Sequence, residues 1–395
     1  MLTISDFPAH VRLMLLTARS RPRASEIEQI RELVGGQGPA LDWQGFLAVT
    51  EHHRVSPLIY ETLNQIRPEG LPEFVRDELQ RRARMNAFEA LNSVRKMEQI
   101  VARFAVAGIE LSPLKGVALS QLLYGNPNMR HVGDLDLLTE PLRLPEQMAL
   151  FAELGYTLIN PRSRMTPNRL ASYVHFWKDF TFRSGDGRTE VDLHWRLFNN
   201  RFHAANRLLK EASYTNVTVF GITMRVFSLE DQFLYCAAHG AFDSWTYLKT
   251  LVDLSGFLRL LSAAELDRAL ERAAQLGLLA QVSGAIHLAN DWMGTEILSP
   301  RLLSPEETTA RRSREHTTKM LLVQDFKPDR SYSSPAQWLR LELQLVPGVR
   351  SLAEVAQRFV WRPRVWTTVD LPDELFWFYP VLGLLLPPRF YSVEE

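Results

Sequence analysis

The sequence predicts an α+β chain in which a mixed-sheet domain is flanked by N-terminal helices and a mostly helical C-terminal domain. Three observations predict it. Apolar residues recur every three or four positions before about residue 104 and after about residue 228, the period of an amphipathic helix. Between those limits short apolar runs alternate with Gly, Pro and Asn turn signals, as strands do. Three aspartates, Asp134, Asp136 and Asp192, fall within two of those runs. The predicted segments are therefore 1–104 (helical), 105–227 (mixed sheet) and 228–395 (helical).

A chain of 395 residues exceeds what one hydrophobic core organises, so more than one compact unit is expected. Its composition, 46% hydrophobic and 23% charged, is that of a folded globular protein. Lys plus Arg and Asp plus Glu balance at 45 each, which removes any overall field toward nucleic acid or an anionic bilayer and disfavours nucleic acid as a partner. The single cysteine, Cys236, closes no internal disulfide and belongs to no metal-ligand spacing, which points to a reducing compartment and a cytoplasmic location. The first residues lack the basic leader and long apolar run of a signal peptide, and no stretch is apolar for long enough to span a bilayer.

In the N-terminal region Ile27, Ile30 and Leu33 mark one helical face, and Trp43 to Val49 another helix. A break follows near Pro57, with a second helix after it, since proline suits a first helical turn, where a missing N–H costs nothing. Ile109 to Leu111 reads as a short strand ending in Ser112-Pro113, and Val117 to Leu123 as a helix opened by Gly116. A glycine at a helix N-terminus gathers unpaired N–H groups and the positive end of the helix dipole, where a phosphate can sit. Asn126-Pro127-Asn128 is a turn, and Val132 to Thr139 the next strand.

Residues two apart on a strand share a face, so Asp134 and Asp136 are expected about 6–7 Å apart on one side, with Leu135 and Leu137 on the other. Two such carboxylates repel unless a cation lies between them. Leu144 to Leu154 reads as a helix closed by Gly155, and Tyr156 to Ile159 as a strand. A hairpin is expected over Tyr173 to Trp195: Phe176 to Phe182 outward, Ser184 to Arg188 as the turn, Glu190 to Trp195 back. Glu190, Asp192 and His194 then share a face, and Asp192 can join the other aspartates from a neighbouring strand.

Val217 to Val226 is a further strand or pair of strands, and Ser228 to Asp231 fits a capping box ahead of a helix to about Ala241. Helices follow over Trp245 to Leu261, Ala264 to Leu276, Leu279 to Met293 and Glu306 to Met320, with a break at Ser331 to Pro335. Leu375 to Leu386 is intensely apolar but too short to cross a bilayer, and reads as core or a packed terminal segment.

The runs Leu114-Lys115-Gly116-Val117-Ala118-Leu119 and Arg130-His131-Val132-Gly133-Asp134-Leu135-Asp136-Leu137-Leu138 resemble the motifs of a bacterial uncharacterised nucleotidyltransferase family. Glu190-Val191-Asp192-Leu193-His194-Trp195 is similar to its later motif, and His53-Arg54-Val55-Ser56-Pro57-Leu58 to its N-terminal one. The likeness runs from about Trp43 to Asp253. It implies a nucleotidyltransferase palm similar to DNA polymerase β and the aminoglycoside nucleotidyltransferases, in which a glycine-led helix holds the triphosphate and three acidic residues hold two Mg²⁺ ions. This chain has Lys115-Gly116-Val117 where the larger superfamily usually has Gly-Ser, so a hydroxyl is missing from the phosphate loop.

Transfer of a nucleotidyl group spreads negative charge over phosphoryl oxygens, so positioning and cations dominate its catalysis. Asp134 and Asp136 are expected to bridge two Mg²⁺ ions, and Asp192 to hold one near the acceptor hydroxyl and take its proton. Lys115, Gly116 and Arg130 are the candidates for the phosphates, and His194 for ordering the site or touching substrate. The expected reaction moves an NMP from an NTP, with ATP as the default donor, to a hydroxyl on a small molecule, sugar, peptide or protein, and releases pyrophosphate. The alternative is a catalytically silent module of the same fold that binds a partner. His239, Lys249 and Asp253 follow at helical spacing and read as a charged helix face.

Overall fold

The computed structural model describes residues 3–36, 41–308, 310–322, 345–346 and 348–385. In chain order its helices are α1 (Ala9–Thr17), α2 (Ala24–Val34), α3 (Trp43–His52), α4 (Ser56–Ile66), α5 (Glu73–Val106), α6 (Gly116–Tyr124), α7 (Leu144–Glu153), α8 (Pro167–Phe176), α9 (Leu208–Glu211), α10 (Leu229–Phe242), α11 (Leu248–Leu260), α12 (Ala263–Leu276), α13 (Leu279–Met293), α14 (Ala310–Leu322), α15 (Val349–Val360), α16 (Pro363–Thr368) and α17 (Tyr379–Leu385). The strands are β1 (Ser112–Pro113), β2 (Leu135–Leu138), β3 (Tyr156–Asn160), β4 (Asp179–Ser184), β5 (Glu190–His194), β6 (Tyr214–Val219) and β7 (Ile222–Phe227). This is the α+β architecture expected, with a mixed sheet and a helical C-terminal region.

The chain sorts into two compact units, each assembled from segments distant in sequence. One comprises Met1–Arg95, Lys115–Gly133 and Ala212–Asp329; the other comprises Lys96–Leu114, Asp134–Glu211 and Arg330–Glu395. We call them the helical unit and the sheet unit.

The sheet unit is built on a five-stranded sheet in the order β1-β2-β5-β4-β3. In it β2 and β5 run parallel, and the remaining neighbours are antiparallel. Leu135, Leu137, Phe180, Phe182, Val191 and Leu193 alternate along β2, β4 and β5 and are all buried, so one face of the sheet is the core. Phe104 of α5 and Phe151 of α7 cover it, Phe151 stacking on Phe182 at 4.2 Å between ring centres. Each such buried aromatic or aliphatic side chain contributes about 1.5–3 kcal/mol. The strand period then leaves Asp136, Thr181, Asp192 and His194 on the other face.

In the helical unit α10, α11 and α13 form the centre, with Phe233, Phe257, Trp245 and Trp292 buried. Ser228 caps α10, accepting from the Asp231 N–H at 3.3 Å, while the Asp231 carboxylate accepts from the Ser213 N–H at 2.7 Å rather than completing the expected capping box. The β6–β7 hairpin closes through Phe220 and Gly221, both at positive φ (48° and 86°), the backbone that a two-residue turn between twisted strands requires.

Several expected elements differ. Of the short strand expected from Ile109 and ending in Ser112-Pro113, only Ser112–Pro113 pairs, with Leu138 and Leu137. Tyr173 to Phe176 is helical, not strand, because Thr166 and Pro167 open α8: the Thr166 hydroxyl accepts from the Arg169 N–H at 3.4 Å and proline suits the first turn. The apolar tail is only half packed. Tyr379 is buried and donates to the Val369 carbonyl, while Trp377, Leu384 and Leu385 are exposed. Leu386 and the Ser331 to Pro335 break lie outside the described residues.

Candidate metal and nucleotide site

The parallel pairing of β2 with β5 sets Asp136 directly beside Asp192. Hairpin register then sets Thr181 opposite Asp192 and Asp179 opposite His194. A ligand atom from each of Asp136, Asp192 and His194 lies within 4.8 Å of the other two, a spacing that suits one shared cation. Asp134 stands outside this group, in an exposed position one residue before β2 begins.

Around the three is a network. The Thr181 hydroxyl donates to Asp192 Oδ1 at 2.7 Å. Lys178 pairs with Asp179, and its Nζ is 3.4 Å from His194 Nδ1. An ammonium only donates, so Nδ1 accepts, and the ring then carries its proton on Nε2, which donates to Asp136 Oδ1 at 3.0 Å. His194 thus aims Asp136, and burial together with the Lys178 charge keeps its ring neutral by lowering its pKa. Burial opposes the ammonium of Lys178, but Asp179, Asp192 and Asp136 outweigh it and raise its pKa.

Asp192 carries the strain of this arrangement. Burial and the negative charges of Asp179 and Asp136 push its carboxyl up to about 8. A divalent cation would remove that repulsion and ionise it. The donor set fits such an ion: two carboxylates on rigid strands, with a histidine that orients one of them.

The remaining candidates belong to the helical unit. Lys115 precedes α6 with its Nζ 5.1 Å from the centre of the Tyr235 ring, and Gly116 opens the helix at φ 67°, a left-handed backbone that favours glycine. Arg130 is buried, its Nε donating to Asp253 Oδ2 at 2.8 Å. Tyr124 donates to the other Asp253 oxygen at 3.3 Å, and the Asn86 side chain holds the Arg130 loop through the Asn128 and Arg130 carbonyls and the Val132 N–H.

Sequence reasoning missed Lys178, Asp179 and Thr181. The signal that would have found them is the hairpin itself, since counting back from its turn sets each opposite a residue of β5 or next to one that is.

A mixed sheet that presents paired aspartates on its open face, in a chain whose α6 is opened by glycine, defines a nucleotidyltransferase-type palm. The family model described as uncharacterised nucleotidyltransferase matches residues 39–294, and the chain belongs to that family. No curated protein matches it.

Proposed function

We propose that this protein is a Mg²⁺-dependent enzyme that moves a nucleoside monophosphate from an NTP, ATP by default, to a hydroxyl of a small molecule, sugar, peptide or protein, releasing pyrophosphate. The observation that carries the proposal is the pairing of Asp136 with Asp192 across two strands, with His194 bonded to Asp136, in a chain of the nucleotidyltransferase family. Bound Mg²⁺, two ions in the form we propose, would supply positive charge that stabilises both the attacking and the leaving oxygens.

Asp134, Asp136 and Asp192 are the proposed ligands, which suits the preference of Mg²⁺ for oxygen. His194 holds the Asp136 carboxylate in place. Thr181 occupies Asp192 Oδ1, which leaves Oδ2 to receive the proton of the acceptor hydroxyl. Lys115 and Gly116 receive the phosphates, and Arg130 supports them from its ion pair with Asp253 through N–H groups other than Nε.

Charge balance across the chain is not that of a nucleic-acid enzyme, so a smaller acceptor is proposed. No described helix is long and apolar enough to cross a membrane, and the lone buried Cys236 suits the cytoplasm.

The test is mass spectrometry of products after incubating the protein with each NTP, Mg²⁺ and an extract of its own cells. A mass increment of one NMP on an acceptor, lost in Asp136→Asn, supports the reading. Partner binding with no pyrophosphate from any NTP would replace it with the silent module.

A further inference from the structure

We propose that Lys249, together with Arg54, Lys115 and His131, forms a polyphosphate subsite carried wholly by the helical unit. The ligand's identity as the triphosphate of an NTP rests on the function proposed above; its charge does not.

The cations are delivered by three separate parts of the chain. The break between α3 and α4 is bonded to the start of α11: the Lys249 N–H donates to the His53 carbonyl at 3.2 Å, and the Leu248 N–H to His53 Nδ1 at 3.2 Å. His53 is buried, so this junction is fixed. Arg54, the next residue, is held at φ 58°, a left-handed backbone that a side-chain-bearing residue rarely adopts, and its guanidinium lies over the Tyr247 ring at 4.5 Å. Lys115 lies over the Tyr235 ring on α10. One turn along α11 from Lys249, Asp253 is committed to Arg130 and Tyr124. His131 follows Arg130 on the loop that Asn86 holds.

The charges do not cancel. Among the described residues neither Arg54 nor Lys249 forms an ion pair, and a tyrosine ring holds a cation without neutralising it. Burial and the positive charges of Arg130, Arg54 and Lys115 depress Lys249, against which Asp253 acts alone among the strongest influences. Burial and the charges of Lys249, Arg54 and Arg130 bring His131 down to about 4, so it is neutral at pH 7 and still donates one N–H. Like charges within reach of a half-buried Lys249 are costly to the protein. An anion with several charged oxygens relieves all of them at once, whereas a single phosphate cannot.

The proposal is tested by isothermal titration of the full chain with tripolyphosphate at pH 7 without divalent metal. Lys249→Met and Arg54→Met should each weaken binding roughly ten- to a hundredfold, the loss of one charge-assisted contact. Arg31→Met, which removes an exposed cation on α2, should change it less than about twofold. Circular dichroism checks that each variant folds, and Lys249→Arg should recover most of the affinity. Equal affinity in all variants would overturn the subsite, as would orthophosphate binding as tightly as tripolyphosphate.

The two readings fail separately. Tripolyphosphate binding that depends on Lys249 in a protein that transfers no NMP leaves the subsite and removes the enzyme. Transfer with a tripolyphosphate affinity indifferent to Lys249 does the reverse. Asp136→Asn combined with Asp192→Asn should lose divalent-ion binding yet retain metal-free tripolyphosphate affinity, because those groups belong to the sheet unit.

Discussion

Replacing Asp192 with Asn should stabilise the metal-free protein at alkaline pH and remove its response to Mg²⁺. The carboxyl titrates near 3.8 in an unfolded chain and at about 8 in the folded one, because burial and the charges of Asp179 and Asp136 oppose its ionisation. A folded pKa above the unfolded value means that the stability present below pH 4 is lost progressively as pH rises through 8. At 1.36 kcal/mol per tenfold, the full shift corresponds to an upper bound of about 5–6 kcal/mol; relaxation and solvent reach leave about 2–3 kcal/mol. For a chain of this size that is a rise in Tm of about 2–4 °C for Asp192→Asn at pH 8.5 in EDTA, shrinking as pH falls toward 4. The Thr181 hydroxyl can still donate to the amide oxygen of the variant side chain, so the comparison isolates charge. Differential scanning fluorimetry from pH 5 to 8.5, with EDTA or with Mg²⁺, reads both effects. A variant no more stable than wild type at pH 8.5, or one that Mg²⁺ stabilises as much as wild type, would refute the account of Asp192.

Breaking the buried Arg130–Asp253 pair with Arg130→Ala should cost about 3–5 kcal/mol, read as a lower urea midpoint, and Arg130→Met with Asp253→Leu together should recover a large part of it. Acid should destabilise the fold between pH 6.5 and 4: His53 and His203, each brought down to about 3 chiefly by burial, stay neutral while the unfolded chain takes up their protons, so urea midpoints should fall steadily across that interval. Gly240→Ala should destabilise by about 1–3 kcal/mol, since a Cβ there would lie 2.3 Å from the Trp245 ring; a thermal midpoint within about 1 °C of wild type would contradict the packing. Gly116→Ala meets no steric neighbour but must hold φ 67°, so about 1 kcal/mol of stability and a weaker affinity for NTP are the expected losses in calorimetry.

What is legible in the sequence follows the range over which each signal acts. The period of two puts Leu135 and Leu137 in the core and Asp136 on the open face, and the Ser184 to Arg188 turn sets the β4–β5 hairpin, so Asp192 and His194 fall on one strand face. Strand ends depend on partners. The apolar run alone extends β2 back over Asp134, but pairing with β5 begins only at Leu135 opposite Val191, which leaves Asp134 ahead of the strand and exposed. The ion pair that holds Arg130 is not legible locally, because its partner, Asp253, lies 123 positions away and no local pattern joins them. Lys249 reads as part of a charged helix face for the same reason: the bond from its N–H to the His53 carbonyl, which sets it beside Arg54, spans nearly half the chain.

The zero net charge of the chain is an average that hides two local imbalances. In the sheet unit Asp136, Asp179 and Asp192 gather around the ammonium of Lys178, and the excess is borne by Asp192, which stays protonated near neutrality. In the helical unit the charges of Arg130, Arg54 and Lys115 act on Lys249, opposed by the carboxylate of Asp253, and the excess is borne by Lys249. Composition rightly disfavours a long polyanion, whose binding draws on a field spread over a whole surface. It is blind to groups of three or four like charges, which hold a compact ligand through short contacts. An excess of carboxylate asks for a cation, and an excess of ammonium and guanidinium asks for an anion.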